Sequence, residues 1–432
     1  MNRKLRFLGQ IFRNLIYHKS LREIPLVGGT LTWREAALAL EYFLSDGRLY
    51  KDEAIVRRFE SEFAQAVGCQ YAFAFGAGRV ALYAILRALG IQKGDEVILS
   101  AFTCVVVPNA IIYTGARPVY VDVSPDTWCM DVSQVAAKIT PRTKAIIAQH
   151  NFGSFCDMTR LDEIAHAHGI PIIEDCAHAL GAWYQGKPAG SFGKAAYFTT
   201  EQSKLISTIM GGVATTNDPN IAFVLKTMQE NAVLPSHGEI ARLALKLLAQ
   251  YILGNPWNYP WGKYIMGVLE YRLGLSTTVE EMQGLMPSRY LRKMSPLQAA
   301  IGLQQLKTLT QNLSRRREIA TAYRQIAQKY GLQTNDLVVN SSEPTYIRYA
   351  FLVDDRNTWQ NAFRAMGIEL GEWFNAPIHP KGSSLNAVHY IPGQCPNAEY
   401  LAKHVVNLPT HPKVRDFDIS KIDKLIGQLV YR

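Results

Sequence analysis

Residues 171–204 read PIIEDCAHALGAWYQGKPAGSFGKAAYFTTEQSK. Two runs in it read as strands: PIIEDC, apolar until it ends in two acids, and KAAYFTT (194–200). A strand with no polar face must be covered on both sides, as in a parallel sheet between helical layers. The chain upstream repeats the unit. YAFAFG (71–76), DEVILS (95–100), RPVYVDV (117–123) and TKAIIAQHN (143–151) read as strands, while RVALYAILRALG, VVVPNAIIYTGA and TRLDEIAHAHG read as helices. GGVATTND (211–218) closes the series. The alternation predicts an α/β domain of three layers around a mainly parallel sheet.

Residues 34–68 add two helices, the second stopping at Gly68. Residues 219–288 break the alternation. IARLALKLLAQYILG and WGKYIMGVLEYRLGL read as an inserted helical pair around NPWNYP, with Trp257, Tyr259, Trp261 and Tyr264 near the turn. One long helix is expected from Ser295, its N-cap, to about residue 331. The strand YIRYAFLV, the helix NTWQNAFRAMGI and the final helix DISKIDKLIGQLV then predict a smaller α+β domain. The expected organisation is a leader over 1–33, a large domain over 34–288 with its insertion at about 219–288, and a small domain over 289–432.

The 432 residues are 48% hydrophobic and 19% charged, which excludes a disordered, collagenous or disulfide-stapled chain. No run of about 18 uncharged apolar residues reads as a spanning helix. The six cysteines form no Cys-x-x-Cys pair, so no metal site is expected, and a reducing cytoplasm fits them. Of the net charge of +10, six charges precede the first acid, Glu23: Arg3, Lys4, Arg6, Arg13, Lys19 and Arg22. With Leu5, Leu8, Ile11, Phe12, Leu15 and Ile16 they make a basic amphipathic leader, suited to peripheral contact with an anionic membrane surface. No basic stripe interleaved with aromatics follows, so no nucleic-acid partner is expected.

Two signals carry chemistry. Asp175 ends a buried strand and Lys204 follows another, and strand ends in open α/β sheets are where ligands bind. A lysine that can form a Schiff base and an acid that can pair with a pyridinium are what a pyridoxal phosphate site needs. On spacing alone the plainer reading carries more weight: Asp175 as a helix cap and Lys204 as a solvated lysine. The second signal is FGAGRVALYAIL (75–86), in which Gly76 and Gly78 open a helix directly after a strand. That is either a phosphate cup or a tight turn, and Thr199, just before Lys204, is a further phosphate donor.

In combination these stretches resemble the DegT/DnrJ/StrS family of pyridoxal-phosphate sugar aminotransferases, of the fold-type I class. The resemblance is carried by GDEVILSAFTCVVVPNAIIYTGARPVYVDVSPDTW, IIEDCAHALGAWYQGKPAGSFG, FTTEQSK, MSPLQAAIGLQQLKTL, PIHP and NLPTHP. It implies pyridoxal 5'-phosphate as cofactor, Lys204 as its Schiff-base lysine and Asp175 as partner of the ring nitrogen. It further implies His178 beside the ring, Thr199 on the phosphate, Gly78, Arg79 and Val80 as the phosphate cup, and His379 at the mouth of the substrate pocket. The implied reaction moves an amino group from an amino acid, commonly glutamate, to a keto-sugar, most often nucleotide-linked, in a homodimer whose sites lie at the interface.

The sequence also departs from the family pattern. Arg79 stands where the cup has threonine, Cys104 where an aromatic stacks on the ring, Ile209-Met210 before Gly211-Gly212, and Leu291 where an asparagine reaches the partner's phosphate. Arg79 is expected to bind the phosphate in place of the hydroxyl. A regulatory protein with a degenerate site is one alternative. A sugar dehydratase is another, and Lys204 opposes it, because that branch carries histidine there.

Overall fold

The computed structural model describes residues 21–273, 278–335 and 342–431; the leader lies outside these residues up to position 20. Seven strands form the central sheet: β1 (Tyr71–Phe75), β2 (Glu96–Ser100), β3 (Arg117–Val121), β4 (Thr143–Gln149), β5 (Ile172–Asp175), β6 (Ala195–Thr199) and β7 (Gly212–Thr216). Their order is β1-β7-β6-β5-β4-β2-β3. β7 runs antiparallel to both neighbours and the remaining pairs are parallel. The sheet is therefore mainly parallel, as the apolar strands imply, and six strands end along one edge.

Helices cover both faces, α2 (Ala54–Val67), α3 (Gly78–Ala88), α4 (Val106–Ile112), α5 (Met158–His168) and α6 (Pro219–Glu230), while α1 (Trp33–Leu44) packs on other helices. The period of two in the strands separates two cores. Val97, Leu99, Ala145, Ile147 and Ile173 pack under α3, α4 and α6, whereas Ile98, Ile146, Ala148 and Ile172 pack under α2 and α5. Pro108 sits in the first turn of α4, where no intrahelical N–H bond is lost.

The inserted pair is α7 (His237–Leu253) and α8 (Tyr259–Leu273). Helix α6 does not belong to it: Ile221 and Leu225 pack in the large-domain core, and Asp218 with Pro219 starts an ordinary surface helix. The helix expected from Ser295 is two helices, α9 (Pro296–Lys307) and α10 (Leu309–Lys329), divided at Thr308, whose hydroxyl donates to Gln305 O at 3.2 Å. Ser295 caps α9 with a reciprocal Ser295–Gln298 box, worth about 1 kcal/mol. Ala299 and Leu303 of α9 join the large-domain core, whereas Ile319 and Tyr323 of α10 join the small-domain core. Packing thus places the change of domain within α10 rather than at 288/289.

The small domain pairs β8 (Arg348–Leu352) with β9 (Val405–Pro409), antiparallel, against α11 (Arg356–Ala365) and α13 (Asp416–Val430); α12 (Pro396–His404) packs back on the large domain. The segment after Leu21 docks between the domains. His411 Nε2 donates to Pro25 O at 2.7 Å, and a Cβ on Gly29 would lie 2.0 Å from the imidazole, so only glycine allows this approach.

Burial lowers the pKa of His411 to about 3, and that of His379 to about 4, from an ordinary value near 6.5. The unfolded chain binds these protons first, so stability is full above about pH 6.5 and falls as the pH drops toward the folded values. Each such histidine is expected to cost about 1.4 kcal/mol per pH unit in that window. Denaturant unfolding at pH 7 and pH 5 checks this: His411→Gln should flatten the acid slope, and an unchanged slope would remove His411 as a cause.

Candidate active site

The chain turns from strand to helix or loop along the edge where β1, β4, β5 and β6 end, bringing Gly78, Gln149, Asp175 and Thr199 together. A cavity of about 400 Å³ opens there, lined by Gly78, Arg79, Cys104, Asp175, His178 and Lys204, among others. Thr199, Trp373 and His379 also face it.

Asp175 is buried, accepts from Ala177 N at 3.0 Å and is hydrogen-bonded by the Tyr197 hydroxyl. Burial pushes its pKa up, against the pull of Tyr197, the Ala177 amide and Lys204. A bound cation would relieve that desolvation. Lys204 faces the cavity with its Nζ 4.5 Å from the Trp373 ring centroid, and desolvation lowers its pKa. His178 stacks on Trp373 at 5.1 Å and 9°, and its Nδ1 accepts from Phe152 N at 3.3 Å. Because Nδ1 accepts, the proton is on Nε2. Burial, then Lys204 and Arg348, hold this imidazole neutral.

Helix α3 opens the cup with no side-chain cap. Its third and fourth amides, Val80 and Ala81, both bond Ala77 O, which leaves the amides of Gly78 and Arg79 at the cavity rim. A Cβ on Gly78 would stand 2.6 Å from Thr199 Cβ, so glycine is what lets the helix end approach β6. The Thr199 hydroxyl donates to Gly211 O at 3.2 Å and borders the same space.

Two expected cup members behave differently. Val80 lies in the core and its N–H is taken by Ala77 O, so it offers the cavity neither side chain nor amide. Arg79 lines the cavity, but its guanidinium pairs with Glu281, the capping acid of the turn Val279–Met282. That carboxylate raises the pKa of Arg79 and claims part of its charge. Arg79→Ala is therefore expected to strand a buried Glu281 and destabilise the cofactor-free protein by about 3–5 kcal/mol. Weaker cofactor binding with unchanged thermal unfolding would instead make Arg79 a dedicated phosphate ligand.

His379 meets Cys104 directly, because residues 378–379 pair in parallel with 103–104. Its Nδ1 donates to Asn375 Oδ1 at 2.9 Å, an oxygen that also accepts from Lys381 N, which leaves Nε2 as an acceptor. Leu291 packs against the large-domain core. Trp373, Tyr197 and Arg348 were not singled out from sequence. Arg348, a charge in an otherwise apolar strand, carried a signal; Trp373 carried none.

A model of the DegT/DnrJ/EryC1/StrS aminotransferase family matches residues 34–244 and 272–426. The chain belongs to this family. The match breaks off over 245–271, the second half of α7 and most of α8. This aminotransferase is 32% identical over 418 residues to a GDP-perosamine synthase of Escherichia coli O157:H7, spanning 94% of this chain and 99% of that one. SpsC, a spore coat polysaccharide biosynthesis protein of Bacillus subtilis (strain 168), is 30% identical over 422 residues, spanning 94% and 96%. Among solved structures, S. venezuelae DesV in complex with a ketimine intermediate superposes with a TM-score of 0.73 at 25% identity, covering 95% of this aminotransferase and 99% of DesV. The PLP-form of Spr1654 from Streptococcus pneumoniae, at 21% identity and a TM-score of 0.71, shares the fold.

The donor set fits pyridoxal 5'-phosphate. A desolvated carboxylate awaits a cation, an unpaired amine faces the same cavity, and two free amides at a helix N-terminus suit a phosphate.

Proposed function

We propose that this aminotransferase binds pyridoxal 5'-phosphate through Lys204 and moves the amino group of glutamate to a nucleotide-linked keto-sugar in glycan or polysaccharide biosynthesis. The observation that carries the sugar reading is a second chamber of about 770 Å³, joined to the Lys204 cavity at Gln202, Arg348, Trp373 and His379. Its size lies in the range of ligand pockets, and the relatives named as sugar-nucleotide enzymes span 94% of this chain. Lys246, Gln250, Tyr259 and Lys263 of the inserted helices form one of its walls.

Pyridoxal 5'-phosphate, when bound, supplies the electron sink that amino transfer requires. The chain supplies the rest. Asp175 holds a proton on the ring nitrogen by offering a buried carboxylate. The lowered pKa of Lys204 leaves its Nζ able to take a proton from the donor's Cα and return it to the acceptor carbon. His178 packs beside the ring position as a neutral imidazole and donates through Nε2. Gly78 and Arg79 amides hold the phosphate end, joined by the Thr199 hydroxyl as it turns from Gly211 O, and His379 Nε2 accepts a hydroxyl at the chamber mouth. A panel of nucleotide-linked keto-sugars with L-glutamate, read as 2-oxoglutarate formed, tests the substrate; turnover of free keto-acids alone would contradict it.

The reading includes a homodimer and a cytoplasmic location, the latter supported by six free thiols, four of them buried. Size-exclusion chromatography with light scattering tests the dimer, and a monomer would contradict it. It also includes peripheral membrane contact. Trp257 and Trp261 at the turn of the inserted pair are 52% and 53% exposed, beside the exposed Ile252 and Ile265, whereas Tyr259 is buried. Among the described residues no helix is long and apolar enough to cross a membrane. Exposed Trp at a helical turn suits the headgroup level instead. The full chain is expected to float with anionic liposomes at low salt and to lose this on Trp257→Ser with Trp261→Ser; failure of the wild type to float would contradict the contact.

A further inference from the structure

Arg348 is a buried cation without an anion. It stands in β8, 5% exposed, and makes one side-chain hydrogen bond, from Nη1 to Asn407 Oδ1 at 3.0 Å. Its Nε has no acceptor, and it joins no ion pair among the described residues. A guanidinium offers five N–H donors, so one neutral acceptor leaves it far short of satisfied. Glu201 and Glu369 contribute their field from a distance, and Glu369 is committed to Leu26 N at 2.8 Å and the Tyr259 hydroxyl at 3.1 Å.

The seat of this side chain is built. Its Cζ lies 3.5 Å from the ring centroid of Trp373. Asn407 is fixed by Nδ2 to Trp373 O at 3.0 Å and by reciprocal backbone bonds with Gly371. A Cβ on Gly371 would stand 2.2 Å from Asn407 Oδ1 and 2.8 Å from Arg348 Nη1, so glycine is required for the arrangement.

The seat also faces the reacting centre. Lys204 Nζ and Arg348 Cζ, at 4.5 and 3.5 Å from the same ring, lie within about 8 Å of each other. An α-amino acid whose nitrogen takes the place of the lysine amine, and whose carboxylate bonds a guanidinium in parallel, spans about 6–7 Å between those points. Arg348 borders both cavities, at the junction an entering donor must pass. We infer that Arg348 is the receptor for the α-carboxylate of the amino donor, so that it selects amino acids over simple amines and sets the donor's Cα against Lys204. The inference rests on the proposed use of an amino-acid donor.

Holoenzyme of the wild type, R348K and R348Q is titrated with L-glutamate without sugar, following the cofactor absorbance. Each is also titrated calorimetrically with glutarate, which has carboxylates but no amine. R348Q should weaken both ligands about 30-fold or more, R348K less, while the apparent affinity of the amino-loaded enzyme for the keto-sugar stays within about twofold. Thermal unfolding accompanies each variant; if R348Q does not fold, the charge-retaining R348K, which cannot form the bidentate contact, carries the test in the same direction. Unchanged glutamate and glutarate binding with weaker keto-sugar binding overturns the inference and assigns Arg348 to a phosphate of the sugar carrier. A wild-type absorbance that no α-amino acid alters overturns the donor reading itself, and the inference with it.

Discussion

Lys204→Ala is expected to abolish amino transfer, with a loss of at least about 10²–10⁴-fold from proton transfer alone, and to leave the fold intact. The amine lies at the junction of four environments: the buried Asp175 carboxylate, the Trp373 ring, the free amides of α3 and the chamber that leads to solvent. Its lowered pKa comes first from desolvation, so it gives up its proton more readily than a solvated lysine. Among the described residues it makes no side-chain hydrogen bond or ion pair that the fold depends on, and truncation removes a desolvated charge, so thermal stability should be unchanged or slightly higher. Steady-state turnover and a melting curve on the same preparation check both halves. Residual transamination within about tenfold of wild type would remove Lys204 from the chemistry.

A stability effect as large as that of Arg79→Ala is expected from the residue beside Asp175. Glu174 is wholly buried, and its two oxygens accept from Phe192 N and Gly193 N at 2.7 Å and from Gly190 N at 2.9 Å, with His150 Nε2 at 3.2 Å. It ties the loop ahead of β6 to the end of β5, which sets the separation of Asp175 from the strand leading to Lys204. Glu174→Ala strands one buried amide, two part-buried amides and a buried imidazole. The expected cost is about 3–5 kcal/mol, and roughly 3–6 °C in Tm. Glu174→Gln, which keeps the shape and some of the acceptors, should lose less. A Glu174→Ala protein melting within about 1 °C of wild type would contradict this role.

How far the sequence discloses these features depends on the range over which each is determined. The parallel strands and their covering helices are local patterns, since β2 carries the apolar run Val97–Leu99 and β5 the pair Ile172–Ile173, and the start of α9 is written in the Ser295–Gln298 pair. The reversal of β7 is not local: GGVATTND has the composition of a strand in either direction, and only its pairing with β1 and β6 sets its sense. The break at Thr308 is hidden by helix-forming residues on both sides. At the site, Gly78, Asp175, Thr199 and Lys204 are readable because strand ends along one edge necessarily converge. Arg348 and Trp373 reach the same cavity from the small domain, and Glu281 reaches Arg79 across 202 residues of chain. Such contacts arise from domain packing, which no spacing in the sequence encodes.

The account stands on Lys204 carrying pyridoxal 5'-phosphate in a site that accepts an amino group. The most direct measurement is reduction of the purified protein with borohydride followed by peptide mass mapping, before and after incubation with L-glutamate. The account predicts an absorbance band near about 400 nm whose reduction places a pyridoxyl mass on the peptide containing Lys204, and prior glutamate should abolish that labelling by moving the cofactor off the lysine. A label on another lysine, or a Lys204 label that glutamate and every other α-amino acid leave in place, would contradict it.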